Sequence, residues 1–407
     1  MKAESIREGI PKIRGKTVFL RVDFNVPIEN NKIQDEQKIT AALPTIRFLL
    51  RYDCSVVIAT HLGRPKGKKV KKYSTEILAQ RLAKLLGENR TPGKTDLKKY
   101  KNIKFIDDCI GNKVKKEAED LKPREILFLE NLRFHPGEKK NDKKFAKKLA
   151  GLGEVYINNA FSVCHRKHAS VAAIKQYLPS FAGFLIEKEI EHLERIDKPQ
   201  KPLITVMGGS KVSTKVNLIK RLAQRSQKIL LGGALANNFL SAQGIKVGRS
   251  LTDKESIAAA RDILKSFSEK IMVPVDVVVA ADADQDQGEV KDIKEVAEKD
   301  KILDIGPETI RLYSKHIKKA NTIIWNGPMG LFENDNFKHG SVAIARVIAS
   351  RSTGKAFGVA GGGETVEVLK MSDMMDHMDW ISTGGGAMLS YLGNDKMPGL
   401  KKIVSKK

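Results

Sequence analysis

Glycine-rich turns recur in the second half of the sequence, and one of them is followed directly by an acid. There the apolar run KAFGVA leads into Gly361, Gly362 and Gly363, and Glu364 opens a helix-like segment. Glycines at a strand-to-helix turn let backbone N–H groups approach a phosphate, and the helix N-terminus adds partial positive charge. A carboxylate repels that phosphate unless a cation lies between them, although it also complements a bare helix dipole. The turn therefore predicts phosphate binding and leaves two roles open for Glu364.

Polar and cationic side chains follow the predicted strands of the first half. They are Asp23, Asn25, His61, Arg64, Arg133, His135, His165, Arg166 and His168. The strand ends of the second half carry glycine motifs instead, namely GGSK (208–211), GG (232–233), GP (306–307 and 327–328) and GGG (361–363 and 384–386). Guanidinium groups bind small anions through paired donors, and exposed backbone amides bind nucleotide phosphates. The first half therefore predicts an anion site and the second a nucleotide site, although a surface ion pair is the commoner role of any single arginine.

The hydrophobic pattern predicts the strands and helices that must position these motifs. Short runs rich in Val, Ile and Leu, such as KTVFLRVDF and CSVVIAT, alternate with helix-like segments such as STEILAQRLAKLLG. This alternation is typical of parallel sheets covered by helices on both faces, where ligands bind beyond the carboxyl ends of strands. We expect two doubly wound α/β domains of similar size, joined by an amphipathic helix at 183–197. The predicted bounds are 1–180 for the first domain, 181–198 for the helix and hinge, 199–392 for the second domain and 393–407 for a tail that returns to the first.

Composition indicates a soluble cytoplasmic protein. The chain has 407 residues, of which 41% are hydrophobic. It has neither an eighteen-residue apolar run nor the apolar core of a secretory signal. Its three cysteines, Cys54, Cys109 and Cys164, never occur as CxxC, which favours free thiols over disulfides or a zinc site.

Charge is distributed unevenly along the chain. The formal net charge is +25, and residues 1–180 contain 39 Lys and Arg against 20 Asp and Glu. A basic half is consistent with an anionic partner, either a small phosphorylated molecule or nucleic acid. Lysine runs such as 139–148 are, however, usually solvated helix faces and loops.

Several familiar motifs are absent from the sequence. It has no GxxxxGK[ST] P-loop, no GxGxxG after the first strand, and none of the protein-kinase motifs VAIK, HRD and DFG. CHRKH (164–168) does not have the spacing of a zinc site. A Walker-type ATPase, a Rossmann dehydrogenase and a protein kinase are therefore not supported.

Nine motifs, in order along nearly the whole chain, resemble those of the phosphoglycerate kinase family. They are RVDFNVPI (21–28), THLGRPKG (60–67), LENLRFHPGE (129–138), AFSVCHRKHAS (160–170), MGGSKVSTK (207–215), DIGPETI (304–310), IIWNGPMGLFE (323–333), GGGETV (361–366) and STGGGA (382–387). The resemblance implies Mg²⁺-dependent phosphoryl transfer from 1,3-bisphosphoglycerate to ADP, giving 3-phosphoglycerate and ATP. It also implies a monomer whose two domains face a cleft and close about a hinge. The chemistry needs positioning and charge neutralisation rather than a general base, because the reacting oxygens are already ionised.

The resemblance also implies roles for individual residues. The phosphoglycerate-binding residues are Asp23, Asn25, Lys38, His61, Arg64, Arg133 and Arg166. The nucleotide-binding residues are Lys211, Lys215, Gly306, Asn326, Glu333, Gly361, Gly362, Gly363 and Thr365. Catalysis is assigned to Lys38, Lys211, Gly363 and Gly386, and metal binding to Glu364.

Several residues depart from the usual motifs of that family, among them Lys38, Asn159, Ser162, Val163, Cys164 and Glu364. Lys38 replaces an arginine that clamps the transition state, and lysine lacks the paired donors of guanidinium. Ser162 replaces a glycine, and Glu364 replaces an aspartate. These departures leave an alternative, a catalytically weakened relative with a regulatory or nucleic-acid-binding role. Nucleic-acid binding is disfavoured because the basic segments lack interleaved aromatic residues.

Overall fold

The chain folds into two compact units. The computed structural model describes residues 2–88, 103–209, 215–285 and 287–405. Unit 1 comprises Met1–Glu191 and Lys396–Lys407, and unit 2 comprises His192–Asp395. The predicted α/β class with two parallel-sheet domains is confirmed.

The described strands and helices alternate along the chain. The strands are β1 (Lys2–Ala3), β2 (Thr17–Val22), β3 (Ile28–Glu29), β4 (Lys32–Ile33), β5 (Ser55–Ala59), β6 (Ile103–Ile106), β7 (Ile126–Leu129), β8 (Val155–Asn159), β9 (Ser180–Ala182), β10 (Leu203–Met207), β11 (Lys228–Leu231), β12 (Ile271–Met272), β13 (Asp276–Ala280), β14 (Glu289–Asp292), β15 (Lys301–Ile305), β16 (Thr322–Asn326), β17 (Phe357–Gly361), β18 (Trp380–Ser382) and β19 (Val404–Ser405). The α-helices are α1 (Ile10–Ile13), α2 (Gln37–Thr40), α3 (Leu43–Arg51), α4 (Glu76–Glu88), α5 (Asn112–Glu119), α6 (Pro136–Lys139), α7 (Lys143–Ala150), α8 (Phe184–Asp197), α9 (Val216–Arg225), α10 (Gly233–Ala242), α11 (Lys254–Phe267), α12 (Pro307–Ile317), α13 (His339–Ser352), α14 (Gly363–Met371) and α15 (Gly386–Leu392). Short 3-10 helices lie at Lys71–Tyr73, Leu132–Phe134, Phe161–Val163, Ala173–Gln176, Ile293–Glu295 and Met375–His377.

The sheet of unit 1 has six parallel strands in the order β6-β7-β5-β2-β8-β9. β2 lies between β5 and β8, so that Arg21 is opposite Ala59 on one side and Asn158 on the other. Because all these strands run the same way, the loops that follow β2, β5, β7 and β8 leave from one edge of the sheet. Those loops hold the polar and cationic motifs of the first half.

Helices cover both faces of this sheet, as the doubly wound fold requires. Successive strand residues point to opposite faces. Leu20 accordingly packs in a core cluster with Leu49 of α3 and Leu82 of α4. Its neighbour Phe19 packs in a second cluster, which includes residues of α5 and α7. Burial on both faces explains why the strands read as nearly continuous apolar runs.

Unit 2 is built around a second parallel sheet, with the strand order β12-β11-β10-β16-β17-β18. The chain begins at β10, fills one side of it and then returns to place β16 on the other side. Such a reversal opens a crevice at the carboxyl ends of the two strands, where ligands of α/β proteins bind. The loops after β10, β11, β16, β17 and β18 contain glycine motifs, whereas the GP motif at 306–307 follows β15. β13, β14 and β15 form a separate antiparallel sheet.

A long helix contains the boundary of the two units, and the last residues of the sequence belong to unit 1. α8 contains the boundary between the units, which falls between Glu191 and His192. Lys396–Lys407 belongs to unit 1, where β19 pairs antiparallel with β1. In the part of the chain that the structure describes, no helix has the length and apolar character needed to cross a bilayer.

Candidate active site

Asp23, which follows β2, accepts several hydrogen bonds in unit 1. Its Oδ2 accepts from Lys38 Nζ at 3.0 Å and from the hydroxyl of Ser162, and its Oδ1 accepts from the backbone N–H of Asn25 at 3.1 Å. The side chain is only 7% exposed. Burial alone would raise the pKa of Asp23, but the Lys38 ammonium and the Ser162 hydrogen bond hold it well below its usual range. Asp23 is therefore a buried, ionised carboxylate beside a cation.

Asn25 joins the loops that follow β2 and β5. Its Oδ1 accepts a hydrogen bond from the backbone N–H of Gly63 at 2.8 Å, and its carbonyl accepts one from Lys38 Nζ at 3.2 Å. Lys38, on α2, thus contacts both Asp23 and Asn25. The structure brings these three predicted substrate residues together.

A fully buried arginine lies behind this group, and sequence reasoning missed it. Arg21 Nε donates to Ser170 Oγ at 2.9 Å, and Ser170 Oγ donates to Glu138 Oε1 at 2.7 Å. Arg21 Nη2 lies 3.1 Å from His61 Nδ1. Because arginine only donates, this His61 nitrogen is the acceptor and its other nitrogen carries the proton. The signal for Arg21 was a charged residue within the otherwise apolar strand TVFLRV.

Arg133 is largely buried and has unused hydrogen-bonding capacity. Its Nη1 donates to the Gly63 carbonyl at 2.8 Å, whereas its Nε is buried without a partner among the described residues. Burial, together with the charges of Arg21 and Arg166, lowers the pKa of Arg133 to about 10. A buried donor without a partner is costly, so this geometry favours an anion as its ligand.

Two of the histidines near these arginines, His61 and His168, are held neutral. Burial and the neighbouring arginines, Arg133 foremost, lower the pKa of His168 to about 3. Burial also lowers the pKa of His61 well below its ordinary value, and the effect of Arg21 adds to it. The positive charge at this edge of the sheet is therefore carried by the arginines and not by these histidines. Arg64 and Arg166 lie there too, in the loops after β5 and β8, and both are exposed.

In unit 2, the loop after β10 presents a lysine and two glycines. Lys215 Nζ donates to the Gly208 carbonyl at 2.7 Å. Burial lowers the pKa of Lys215 to about 8, and the carboxylate of Glu364 acts in the opposite direction. A Cβ on Gly209 would lie 3.6 Å from Glu364 Oε2, so these residues are neighbours. Lys211, predicted to act in catalysis, lies outside the described residues.

The turn into α14 has the geometry that the glycine motif predicts. Gly362 has a φ of +108°, and a Cβ there would lie 2.8 Å from Asn326 Nδ2. A Cβ on Gly363 would meet no atom within 4 Å. No side chain within the described ranges caps this helix, so its first-turn N–H groups are available to an anion.

Asn326 and Thr365 support this turn from beneath. Asn326 Nδ2 donates to the Gly361 carbonyl at 2.5 Å. Thr365 is fully buried, and its Oγ1 accepts a hydrogen bond from the backbone N–H of Gly327 at 2.7 Å. The loops after β16 and β17 are therefore fastened together.

The other predicted nucleotide residues lie in different settings. Gly306 precedes α12, whose first-turn N–H groups already bind the carboxylate of Asp276, at 2.9 Å from Glu308 and 2.7 Å from Thr309. A Cβ on Gly306 would lie 2.3 Å from that carboxylate, so this glycine admits the cap. Glu333 is exposed in the loop after β16, and Gly386 is exposed at the start of α15.

Comparisons with known proteins agree with this architecture. A family model described as phosphoglycerate kinase matches residues 9–395. The chain is 41% identical over 399 residues to phosphoglycerate kinase of Pelotomaculum thermopropionicum, covering 97% of this chain and 98% of that protein. Solved structures of phosphoglycerate kinase from Coxiella burnetii and Pyrococcus horikoshii OT3 match with a TM-score of 0.82 each, at 36% and 32% identity. Each covers 96% of both chains.

Proposed function

This chain belongs to the phosphoglycerate kinase family, and we propose that it transfers a phosphoryl group reversibly between 1,3-bisphosphoglycerate and ADP. Transfer from 1,3-bisphosphoglycerate to ADP gives 3-phosphoglycerate and ATP. The family is one of phosphotransferases, and the matched relatives favour an ordinary kinase over the weakened alternative. The observation that best supports an anionic substrate in unit 1 is the buried Nε of Arg133 beside Arg21, which has no hydrogen-bond partner among the described residues.

Unit 1 is suited to bind phosphoglycerate by its charge and its donors. We expect Arg133, Arg64 and Arg166 to bind the phosphate that is not transferred, because guanidinium groups pair with its oxygens. The ionised Asp23 and the Asn25 amide would orient the hydroxyl and carboxyl end. Since Asp23 also binds Lys38, it would hold that ammonium near the reacting carboxylate.

Unit 2 is suited to bind the nucleotide through its backbone. The uncapped start of α14 would receive phosphate oxygens, and the open space at Gly363 allows them to approach. Lys215 would add positive charge at the α-phosphate. Lys211 and Gly386 are proposed to neutralise charge on the group in transfer, which in phosphoryl transfer is the main catalytic contribution.

The residues at α14 also fit a magnesium ion. The family is nucleotide-dependent and generally Mg²⁺-dependent, and Mg²⁺ is usually held by one or two carboxylates together with substrate phosphates. Glu364 offers an exposed carboxylate in the first turn of α14. We therefore expect Glu364 to hold the Mg²⁺ of the nucleotide complex. When bound, the ion neutralises phosphate charge.

We propose that the phosphoryl group passes directly between the two substrates, without a covalent intermediate. If the two substrates bind to different units, the donor and acceptor oxygens must meet, and closure by a hinge that includes α8 would allow this and exclude water. We also propose that the protein acts as a monomer in the cytoplasm.

Replacing Arg133 tests the assignment of the substrate site. In a coupled assay run from 3-phosphoglycerate and MgATP, Arg133→Gln should raise the KM for 3-phosphoglycerate about tenfold to a hundredfold, since hydrogen bonds to charged groups contribute about 1.5–3 kcal/mol. The KM for ATP should change little. A larger effect on ATP, or a wild-type protein without activity, would contradict the proposal.

Arg124→Gln is the matched control. Arg124 precedes β7, whereas Arg133 follows it, so the two lie toward opposite ends of one strand. Arg124 is exposed and pairs with Asp53 at 2.6 Å. Its replacement should leave both KM values near those of the wild type.

A further inference from the structure

Three potential metal ligands meet in unit 1 outside the residues assigned to substrate binding. They are Asp108 and Cys109, in the loop after β6, and His135, just after the 3-10 helix Leu132–Phe134. One ligand atom from each lies within 4.8 Å of the other two. Because β6 and β7 are neighbouring parallel strands, their carboxyl ends bring these distant residues together.

The thiol of Cys109 differs from the other two in its bonding. Cys54 Sγ donates to the Ile13 carbonyl at 3.1 Å, and Cys164 Sγ donates to the Ala160 carbonyl at 3.5 Å. The Cys109 thiol has no comparable hydrogen bond to any other described residue, and its sulfur meets only its own backbone N–H. All three cysteines are free and buried. Cys109 is therefore the thiol whose sulfur remains available to a ligand.

The imidazole of His135 is oriented toward the same point. Its Nε2 lies 2.7 Å from Asp108 Oδ1, and its ring stacks on Phe145 at a centroid distance of 5.4 Å. The side chains of His135 and Asp108 are 29% and 50% exposed. An ion can therefore reach the group from solvent, with the buried sulfur as its inner ligand.

We propose that Asp108, Cys109 and His135 bind a divalent transition metal of the zinc type, with water as the fourth ligand. One oxygen, one sulfur and one imidazole nitrogen form a donor set that suits Zn²⁺ or Co²⁺ and does not suit Mg²⁺. Tetrahedral bonds of about 2.0–2.3 Å place ligand atoms roughly 3.3–3.8 Å apart. Rotations of the partly exposed Asp108 and His135 side chains that move their ligand atoms by about 1 Å therefore close the site. Binding replaces the Cys109 S–H bond by a sulfur–metal bond, and that proton leaves to solvent. The hydrogen bond between His135 and Asp108 breaks, and the proton on the ligating ring nitrogen moves through solvent to the other ring nitrogen.

This site differs in chemistry from the one proposed for the nucleotide. Glu364 offers a hard oxygen ligand, whereas Cys109 offers a soft thiolate. His135 lies two residues after Arg133, so a bound metal would tie the loop after β6 to the turn that holds this arginine.

Cobalt provides the test, because a thiolate–Co²⁺ bond has a charge-transfer absorption in the near ultraviolet. Untagged, reduced, nucleotide-free protein is titrated with Co²⁺, and Zn²⁺ is then added as a competitor. We expect one Co²⁺ per chain to give the thiolate band and Zn²⁺ to remove it. Cys109→Ala should abolish the band, whereas Cys54→Ala and Cys164→Ala should retain it. A wild-type protein without the band, or a band that survives in Cys109→Ala, overturns the proposal.

Variants at the two partly exposed ligands, Asp108 and His135, test the site without changing the buried Cys109. Asp108→Asn and His135→Asn should each weaken Zn²⁺ binding, measured by calorimetry, at least about tenfold, as losing even an outer-shell partner does. Circular dichroism checks that they fold. Unchanged affinity in both variants would mean that the metal binds elsewhere.

Discussion

At the scale of single residues, the carboxylate of Asp23 contacts two residues that differ from the family motifs, Lys38 and Ser162. Lys38 Nζ and Ser162 Oγ both donate to its Oδ2. An arginine at position 38 would offer several donors in a fixed fork, whereas a lysine is a point charge on a flexible stem. Ser162 supplies a further donor to the same oxygen, so the two departures are coupled through Asp23.

A double-mutant cycle on Ser162 and Lys38 measures this coupling. Ser162→Ala removes a hydrogen bond to a buried charge, so kcat/KM for 3-phosphoglycerate should fall about tenfold. In the Lys38→Arg background, Ser162→Ala should lower kcat/KM by a clearly smaller factor. The guanidinium can donate hydrogen bonds in place of both the lysine ammonium and the serine hydroxyl. Steady-state kinetics of the four proteins give the coupling energy. Strictly additive effects would show that the two side chains act independently.

The Lys38→Arg protein by itself addresses the weakened-kinase alternative. Since Lys38 already contacts Asp23 and Asn25, we expect arginine to change kcat only modestly. Activity that appears only with arginine would instead support the weakened alternative.

At the scale of elements, one sequence signal leads to two different helix starts in unit 2. α12 and α14 both begin after glycine. At α12 the carboxylate of Asp276 already binds the first-turn N–H groups, whereas α14 has no side-chain cap among the described residues. Only the second start leaves its N–H groups and dipole for a phosphate.

Gly363→Ala tests whether the start of α14 binds the nucleotide. Its φ is not in the left-handed region and a Cβ meets no atom within 4 Å, so alanine fits without strain. Alanine also favours a helix by up to about 1 kcal/mol, so the Tm should not fall. The methyl group would stand in the path of the phosphate, and the KM for ATP should rise about tenfold.

Gly87→Ala is the control for this substitution. Gly87 is in α4 of unit 1, and a Cβ there also meets nothing within 4 Å. It should leave the KM for ATP unchanged. Equal kinetic behaviour of the two variants would argue against phosphate binding at Gly363.

At the scale of the whole molecule, the end of the chain completes unit 1. Lys175 is 4% exposed, and its ammonium donates to the carbonyls of Pro398, Gly399 and Lys401 at 2.6–2.8 Å. The backbone N–H of Gly399 donates to the Cys164 carbonyl at 2.8 Å. The tail thus supports the loop that holds Ser162 and Arg166.

Removing the ammonium should release the tail. Lys175→Met leaves three carbonyls without their donor, and each buried unsatisfied group costs about 1–3 kcal/mol. Limited trypsin digestion should then cleave after Lys401 or Lys402 at least about tenfold faster than in the wild type. Lys147→Met, on the exposed face of α7, serves as the control and should digest at the wild-type rate. Equal rates in the two variants would count against this role for Lys175.

The pH dependence of tail release has a definite sign. Burial lowers the pKa of Lys175 from its ordinary value of 10.5 to about 8, and repulsion from Lys402 and Lys401 adds to this effect. When the tail is released, Lys175 regains its ordinary pKa of 10.5. Between about pH 8 and pH 10.5 the released state therefore binds more protons than the packed state. Release therefore becomes less favourable as the pH rises through that window. Amide exchange in the tail, corrected for its intrinsic pH dependence, should show greater protection at about pH 9 than at about pH 7.

The α/β class, the helix at α8 and the family could be predicted from the amino-acid sequence alone. These follow from local patterns, because apolar periodicity and glycine turns extend over only a few residues. Each of the nine motifs is likewise one uninterrupted stretch of the sequence. The sequence also identified Asp23, Asn25 and Lys38, which lie in or beside the loop of one strand. Their mutual contacts agree with that prediction, whereas the roles of these residues and the domain bounds stay predictions.

Which residues from distant parts of the sequence meet depends on the three-dimensional fold. It buried Arg21 behind His61, and it gave the helix start after Gly306 a cap from Asp276. It also placed Cys109 beside His135, 26 positions along the chain, where no spacing rule for zinc would look. The physical reason is that parallel strands align their carboxyl ends whatever their separation in sequence. Side-chain contacts across those ends depend on the packing of the whole unit rather than on any local pattern.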